Sequence, residues 1–152
     1  MRRLAAPALV AILALPAAAA EVRPCDDSYA SRAEAIAEPW EDNTRTFASG
    51  AVRIALMDTV EPAAAPFHLM IVSPPYDELG IRQCRLVSFD GTMGYASMSL
   101  EGLETDYDPA TGLRLGVPMR VYNPDTTMFD EGILEVVLDQ ATGEIAAEDF
   151  GS

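Results

Sequence analysis

From Asn43 onward, apolar residues recur at every second position, which is the side-chain repeat of a β-strand. Val52, Ile54 and Leu56 would share one face of such a strand. Five residues near the C-terminus alternate in the same way: Leu113, Leu115, Val117, Met119 and Val121. Alternation of this kind predicts antiparallel strands with one face buried and one face in water.

Turn signals separate these strands. Thr44 to Phe47 and Ala51 to Asp58 flank Ser49-Gly50 and predict a β-hairpin. Asp108 to Gly112 and Asp139 to Gly143 share the form D-x-A-T-G. An Asp that opens a turn and a Gly that closes it in a left-handed conformation are typical of hairpin turns. We therefore interpret both segments as turns between paired strands.

Two further segments locate strands within the sheet. The run from Phe67 to Val72 is continuously apolar, which predicts a central strand covered on both faces. Arg82 to Phe89 follows as a strand carrying Cys84, and Tyr95 to Leu100 as another after a turn at Asp90-Gly91. Pro118 cannot donate a ladder hydrogen bond, so it predicts an edge position for its strand.

The segment from Asp26 to Ala37 is the one stretch with helical periodicity. Its first residues, Asp26, Asp27 and Ser28, are good helix caps, and its apolar residues recur at helical spacing. Pro39 would end the helix and Trp40, just beyond, would pack over the core. The expected fold class is α+β and β-rich, with one N-terminal helix packed on a largely antiparallel sheet of roughly seven to nine strands. An open sheet, a sandwich and a partly closed barrel remain alternatives.

Residues 1–20 have the composition of a cleavable secretory signal peptide. Arg2 and Arg3 form a positive n-region, an apolar region of about a dozen residues follows, and Ala18 and Ala20 suit the cleavage site. The apolar region is too short for a spanning helix, which needs roughly 20 residues. We expect a periplasmic or secreted protein, a single globular domain at 21–152, and no membrane span after cleavage.

Cys25 and Cys84 are the two cysteines of the chain. An even pair in an exported protein predicts a disulfide. Closing a loop of this length stabilises a fold by about 4 kcal/mol in the chain-entropy model.

The charge balance is strongly acidic. The chain has 24 Asp and Glu against 10 basic residues, with a formal net charge of −14. A negative field of this size repels phosphate backbones, which argues against nucleic acid as a partner. A cationic protein or peptide is the partner class that this charge favours.

Catalytic chemistry has little support in the sequence. His68 is the one histidine and lies within an apolar run, so we expect a buried, hydrogen-bonded structural residue. No motif indicates an activated nucleophile, a metal site or a cofactor. The sequence favours a non-enzymatic binding or interaction protein outside the cytoplasm. The alternatives are a carboxylate-based hydrolase and an envelope structural protein without a discrete site.

The candidate binding residues are Tyr76, Asp77 and Glu78, within the segment from Ser73 to Gly80. Tyr is a favoured interface anchor, the two acids would attract a cationic partner, and Pro74 and Pro75 would reduce the entropy lost on binding. The alternative is a rigid crossover whose Tyr76 and Leu79 cap the core.

Overall fold

The computed structural model describes residues 18–151, and these residues form mainly β-strands. The short α-helix α1 spans Trp40–Asn43, and three 3-10 turns span Tyr29–Ser31, Ala33–Ala35 and Ala48–Gly50. The strands are β1 Ala18–Ala19, β2 Glu21–Pro24, β3 Thr44–Phe47, β4 Val52–Asp58, β5 Phe67–Tyr76, β6 Arg82–Ser88, β7 Ser97–Met98, β8 Glu104–Asp108, β9 Gly112–Asn123, β10 Met128–Leu138 and β11 Ile145–Gly151.

The strands belong to two antiparallel sheets. The N-terminal sheet has five strands in the order β2-β6-β5-β4-β3. The C-terminal sheet has six, in the order β1-β11-β10-β9-β7, with β8 also paired to β9. The β-rich architecture of antiparallel hairpins is therefore confirmed.

One hydrophobic core joins the inner faces of the two sheets, which makes the fold a β-sandwich. The N-terminal sheet contributes fully buried side chains, among them Ile54, Leu56, Leu69, Ile71 and Val87. The C-terminal sheet contributes a matching set, among them Leu115, Val117, Leu134, Val136 and Leu138. These are the residues at every second position, so the alternation places them correctly in the interior.

The predicted N-terminal helix over Asp26 to Ala37 is wrong. The segment forms two separate 3-10 turns, with Arg32 between them in an extended conformation (φ −98°, ψ 151°). The residues that it buries are Ala30, Ala35 and Ala37. On a continuous α-helix, Ala30 and Ala35 would point about 140° apart, so the helix could not set both on one sheet. The extended Arg32 lets each turn present its own alanine.

This stretch, residues 25–37, covers the outer face of the N-terminal sheet, and we call it the covering segment. Ala30, Ala35 and Ile36 pack against residues on that face in a second hydrophobic cluster that includes Met57 and Leu86. Ile36 also bridges to Met57. Both faces of the central strand β5 are therefore covered, as its continuous apolar sequence predicted.

The disulfide between Cys25 and Cys84 is confirmed. The two Cα atoms lie 5.3 Å apart, and the bond joins residues separated by 59 positions. It ties the start of the covering segment to β6. A disulfide is consistent with an oxidising extracellular or periplasmic environment.

Both D-x-A-T-G segments form hairpin turns, as predicted. Asp108 Oδ1 accepts the Ala110 N–H at 2.6 Å in the β8–β9 turn, and Asp139 Oδ1 accepts the Ala141 N–H at 2.8 Å in the β10–β11 turn. Each turn closes on a glycine with positive φ, 97° in the first and 78° in the second. Backbone hydrogen bonds hold the pKa of Asp139 below its ordinary value.

Pro118 does not lie on an edge strand, contrary to the prediction. Strand β9 pairs with β10 along one side, while its other side is shared by β8 up to Gly116 and β7 from Met119. The carbonyl of Pro118 accepts the Ser99 N–H on that second side, between the two short partners. The N–H and C=O of a strand residue point the same way, so the missing N–H of Pro118 faces this gap.

The predicted signal peptide lies largely outside the described residues. Its n-region and apolar region fall there, and only its last three residues are described. Ala18 and Ala19 form β1 against Asp149 and Glu148, and Ala20 is buried where the chain passes between the two sheets. Within residues 18–151, no helix has the length and apolar character needed to cross a membrane.

Candidate functional site

The candidate segment Ser73 to Gly80 consists of the end of β5 and the tip of the β5–β6 hairpin. Ser73 is buried, and Tyr76 is the last residue of β5. Gln83 donates hydrogen bonds to Ser73 Oγ, to the Pro74 carbonyl and to the Gly143 carbonyl, the last two at 2.8 Å. The end of β5 is thereby attached to the β10–β11 turn.

Asp77, one of the candidate binding residues, stabilises the turn at the hairpin tip. Its Oδ1 atom accepts the N–H groups of Leu79 and Ile81 at 2.9 and 2.8 Å, so its carboxylate shapes the hairpin tip. Tyr76 is 52% exposed, and its ring lies 5.8 Å from the Arg82 guanidinium carbon. Glu78 is exposed at the tip. The structure therefore brings the three residues together on one projecting turn.

Two apolar neighbours in this turn were not among the predicted binding residues. Leu79 is 84% exposed and Ile81 is 59% exposed, which makes them more accessible than Tyr76. Their exposure could have been predicted from the sequence, because neither residue belongs to a period-two pattern that would place its side chain in the core. We define the hairpin tip as Tyr76, Glu78, Leu79 and Ile81.

His68 is buried on the outer face of the N-terminal sheet, where it pairs with Met57 of β4. Its Nδ1 atom lies 2.9 Å from Ser88 Oγ on the neighbouring strand. Burial, with a smaller effect of the Arg23 charge, lowers the pKa of His68 to about 4. The imidazole is therefore neutral at pH 7, and the predicted buried, hydrogen-bonded histidine is confirmed.

A buried polar pair, Tyr95 and Asp149, was not predicted. The Tyr95 hydroxyl donates a 2.7 Å hydrogen bond to Asp149 Oδ1, while Asp149 Oδ2 is buried without a partner within the described part of the chain. Burial raises the pKa of the Asp149 carboxyl above its ordinary value and the pKa of the Tyr95 hydroxyl as well. Asp149 follows Ile145 and Ala147 in the period-two pattern, which was its one sequence signal.

This pair bears on the hydrolase alternative. A carboxylate-based hydrolase requires two carboxyl groups in a cleft, with environments that separate their pKa values. The hydrogen-bonding partner of Asp149 is a phenol, and its side chain lies in the interior between the sheets. Among residues 18–151, no three His, Cys, Asp or Glu side chains converge as a possible metal site.

Trp40 does not pack over the core as expected. It begins the four-residue helix α1 directly after Pro39, and 46% of its surface is exposed.

The outer face of the C-terminal sheet is exposed and rich in aromatic residues. The strand register places Tyr122 beside Phe129, and Pro118 beside Ile133, which also pairs with Phe150. Tyr122, Phe129, Ile133 and Phe150 are each between 40% and 44% exposed. The Tyr122 and Phe129 rings meet edge to face, with centroids 5.7 Å apart.

Acidic residues surround these apolar side chains. The register places six carboxylates on the same face: Glu104, Asp106, Asp108, Glu131, Glu135 and Glu148. The two arginines of this face, Arg114 and Arg120, contact other residues of the same face. The Arg120 guanidinium lies 5.1 Å from the Phe129 ring centroid, and Arg114 lies 3.9 Å from Glu135. We call this surface, with its apolar centre and acidic surroundings, the acidic–aromatic face.

The acidic–aromatic face contains two adjoining depressions. The larger has a volume of about 470 Å³ and lies between Ser97, Pro118, Glu131 and Ile133. The smaller, about 200 Å³, lies between Glu104, Asp106 and Ile133. Ile133 lines both depressions, so the two belong to one continuous surface. A surface of this kind suits a protein or peptide.

Comparisons of the chain with protein-family models, with curated proteins and with solved structures found no match.

Proposed function

We propose that this protein is a non-enzymatic binding protein that docks a cationic protein or peptide on its acidic–aromatic face. The observation that carries the proposal is an asymmetry between the two outer faces of the sandwich. The covering segment buries much of the outer face of the N-terminal sheet, whereas the outer face of the C-terminal sheet leaves three aromatic rings and Ile133 exposed. Exposed apolar patches with polar rims are typical of interaction sites.

The charge of this face selects the class of partner. Six carboxylates and two arginines leave an excess of negative charge, and both arginines already have partners within the face. Lysine or arginine side chains on a partner would complement the carboxylates, while its apolar side chains would contact Phe129, Tyr122 and Ile133. Complementary charge speeds encounter and selects partners, and buried aromatic anchors supply affinity.

The hairpin tip is the second candidate for the contact surface. Tyr76, Leu79 and Ile81 project from a rigid turn, and Glu78 adds an acidic group. This is the binding site expected from the sequence, with Asp77 now assigned to shaping the turn. The tip has three exposed apolar side chains against four on the acidic–aromatic face, and it has fewer carboxylates, which is why we favour the face.

Binding to an amphipathic cationic peptide of alternating Leu and Lys tests the proposal. We expect Phe129→Ser to weaken binding about tenfold or more, as loss of an aromatic anchor does. Tyr107→Ser is the matched control, because Tyr107 is also an exposed aromatic residue but pairs with Leu113, on the opposite side of the sheet. Raising the salt concentration should slow association.

Two results would contradict the proposal. One is equal weakening by Phe129→Ser and Tyr107→Ser. The other is loss of binding in Tyr76→Ala together with unchanged binding in Phe129→Ser, which would transfer the contact to the hairpin tip. An analogue of the peptide with Gln in place of Lys should bind weakly, because it retains the apolar residues but lacks the charge.

We further propose that the protein is exported to the periplasm or outside the cell, and that cleavage before Glu21 removes β1 from the edge of the C-terminal sheet. The signal-like composition of residues 1–20 and the disulfide support this. Intact-mass measurement of the exported protein tests it. The expected mass is that of residues 21–152 with one disulfide and no lipid, and a mass that includes residues 1–20 would contradict it.

A further inference from the structure

A pocket at the β3 side of the N-terminal sheet lies where the covering segment ends. Its volume is about 390 Å³, and Ile36 of the covering segment lines one side. Its apolar lining includes Ala55, Met70 and Val72 from the sheet. This pocket lies on the sheet opposite the one that bears the acidic–aromatic face.

The lining of this pocket is positively charged, although the chain as a whole has a net charge of −14. Arg53 and Arg82 line it, together with the threonines of β3, and no Asp or Glu is among its lining residues. Neither arginine forms a salt bridge within residues 18–151, where Arg23 and Arg114 do. Arg45 also lines the pocket, but its guanidinium donates to three backbone carbonyls, including that of Thr44 at 2.7 Å.

Arg82 is held in place and still has an unused donor. Its Nη2 atom donates to the Gly50 carbonyl at 3.2 Å, and its guanidinium carbon lies 5.8 Å from the centre of the Tyr76 ring. Its Nε atom is buried without a hydrogen-bond partner among the described residues. Its Nη1 atom makes no hydrogen bond within the described part of the chain, which leaves it as a donor for a ligand.

Arg53 is exposed and makes no hydrogen bond within the described part of the chain, so its guanidinium is free to bind a ligand. It pairs across the strands with Thr46 and Val72, which also line the pocket. The guanidinium groups of Arg53 and Arg82 thus line one pocket with an apolar floor, together with Thr46.

We infer that this pocket binds the phosphate group of a small organic ligand. Two guanidinium groups match the double negative charge of a phosphate monoester, and its oxygens accept several hydrogen bonds at once. The apolar floor would contact the organic part of the ligand. A carboxylate has one negative charge and would neutralise only one of the two arginines.

Titration of the disulfide-bonded protein with phenyl phosphate, at constant ionic strength and pH 8, tests this inference. Calorimetry and backbone amide shifts report the binding. Inorganic phosphate, benzoate and phenol are the comparison ligands. We expect phenyl phosphate to bind more tightly than each of them, with shifts at Thr46, Arg53 and Arg82.

Two variants separate the pocket from general charge effects. Arg53→Gln should weaken phenyl phosphate binding about tenfold, because it removes a charge-assisted hydrogen bond. Arg114→Gln changes the net charge equally but lies on the acidic–aromatic face, so it should change the affinity less than about twofold. Arg53 makes no internal hydrogen bond, so we expect its replacement to leave the melting temperature unchanged.

Three results would overturn the inference: absence of binding to phenyl phosphate, equal effects of the two variants, and benzoate binding as tightly as phenyl phosphate. The proposed peptide binding concerns the other sheet, so the failure of one proposal would not affect the other. Arg53→Gln should leave binding of the cationic peptide intact, and Phe129→Ser should leave binding of phenyl phosphate intact.

Discussion

His68 and Asp149 are buried titratable residues, and burial lowers the pKa of the first and raises the pKa of the second. Both disfavour the charged form in the folded protein, because burial removes water from the charge. His68 could be placed from the sequence, since it lies inside an apolar run. Asp149 was missed because a single acid among 24 carries no compositional signal.

We predict that His68 makes folding stability fall as the pH is lowered through the range from about 6.5 to 4. The unfolded chain takes up a proton near pH 6.5, whereas the pKa of His68 in the folded protein is about 4. Above about pH 6.5 the contribution of His68 to the free energy of unfolding is complete. As the pH falls from about 6.5 to 4, the free energy of unfolding decreases by about 3 kcal/mol. Urea unfolding of wild type and His68→Gln across this range checks it. A stability difference independent of pH would contradict it.

For the Tyr95–Asp149 pair, we expect Tyr95→Phe to cost about 1–3 kcal/mol at neutral pH, because it leaves the buried Asp149 carboxylate without its hydrogen bond. Asp149→Asn should cost less, since the amide oxygen still accepts the Tyr95 hydroxyl. The raised pKa has a consequence as well. Relative to Asp149→Asn, wild type should lose stability as the pH rises above about 4. Denaturant unfolding of both variants at several pH values measures this, and a larger cost for Asp149→Asn than for Tyr95→Phe would contradict it.

At the scale of elements, the strands were predictable and their mutual arrangement was only partly so. Alternation identified β4 and β9, and turn chemistry identified the hairpins that end at Gly112 and Gly143. Local signals failed where tertiary contacts decide the conformation. The covering segment is anchored by Cys25 and by Ile36, and its alanines must meet a sheet, so its helical periodicity is overridden.

The dependence on tertiary contacts also explains why the predicted edge position of Pro118 was wrong. A proline in a strand correctly indicates that one ladder hydrogen bond is missing. A single strand cannot show whether the missing bond lies at the edge of a sheet or between two short partners such as β7 and β8. That information depends on contacts between residues distant in the sequence.

The β10–β11 turn is predicted to pack rigidly against β5. A Cβ atom at Gly143 would overlap Pro75, whereas a Cβ at Gly50 would meet no atom within 4 Å. Both glycines have positive φ, so both substitutions by alanine introduce backbone strain. We expect Gly50→Ala to cost about 1–2 kcal/mol and Gly143→Ala to cost about 1–3 kcal/mol more. Thermal unfolding compares them, and equal costs would contradict this packing.

At the scale of the whole molecule, the sandwich separates surfaces of opposite character. The N-terminal sheet has its outer face buried by the covering segment, except at the pocket lined by Arg53 and Arg82. The C-terminal sheet presents the acidic–aromatic face. The sequence could not locate this face, because its residues come from β7 to β11 and only strand register brings them together. The predicted candidates, Tyr76, Asp77 and Glu78, were contiguous and therefore visible in the sequence.

The central claim is that a cationic partner docks on the acidic–aromatic face. The most direct test is to map backbone amide shifts while the alternating Leu and Lys peptide is added to the disulfide-bonded protein. The account predicts that the largest shifts form one patch at Tyr122, Phe129, Ile133 and Phe150, and that the patch loses its shifts at high salt. Largest shifts at the hairpin tip or on the covering segment, or no shifts at all, would contradict it.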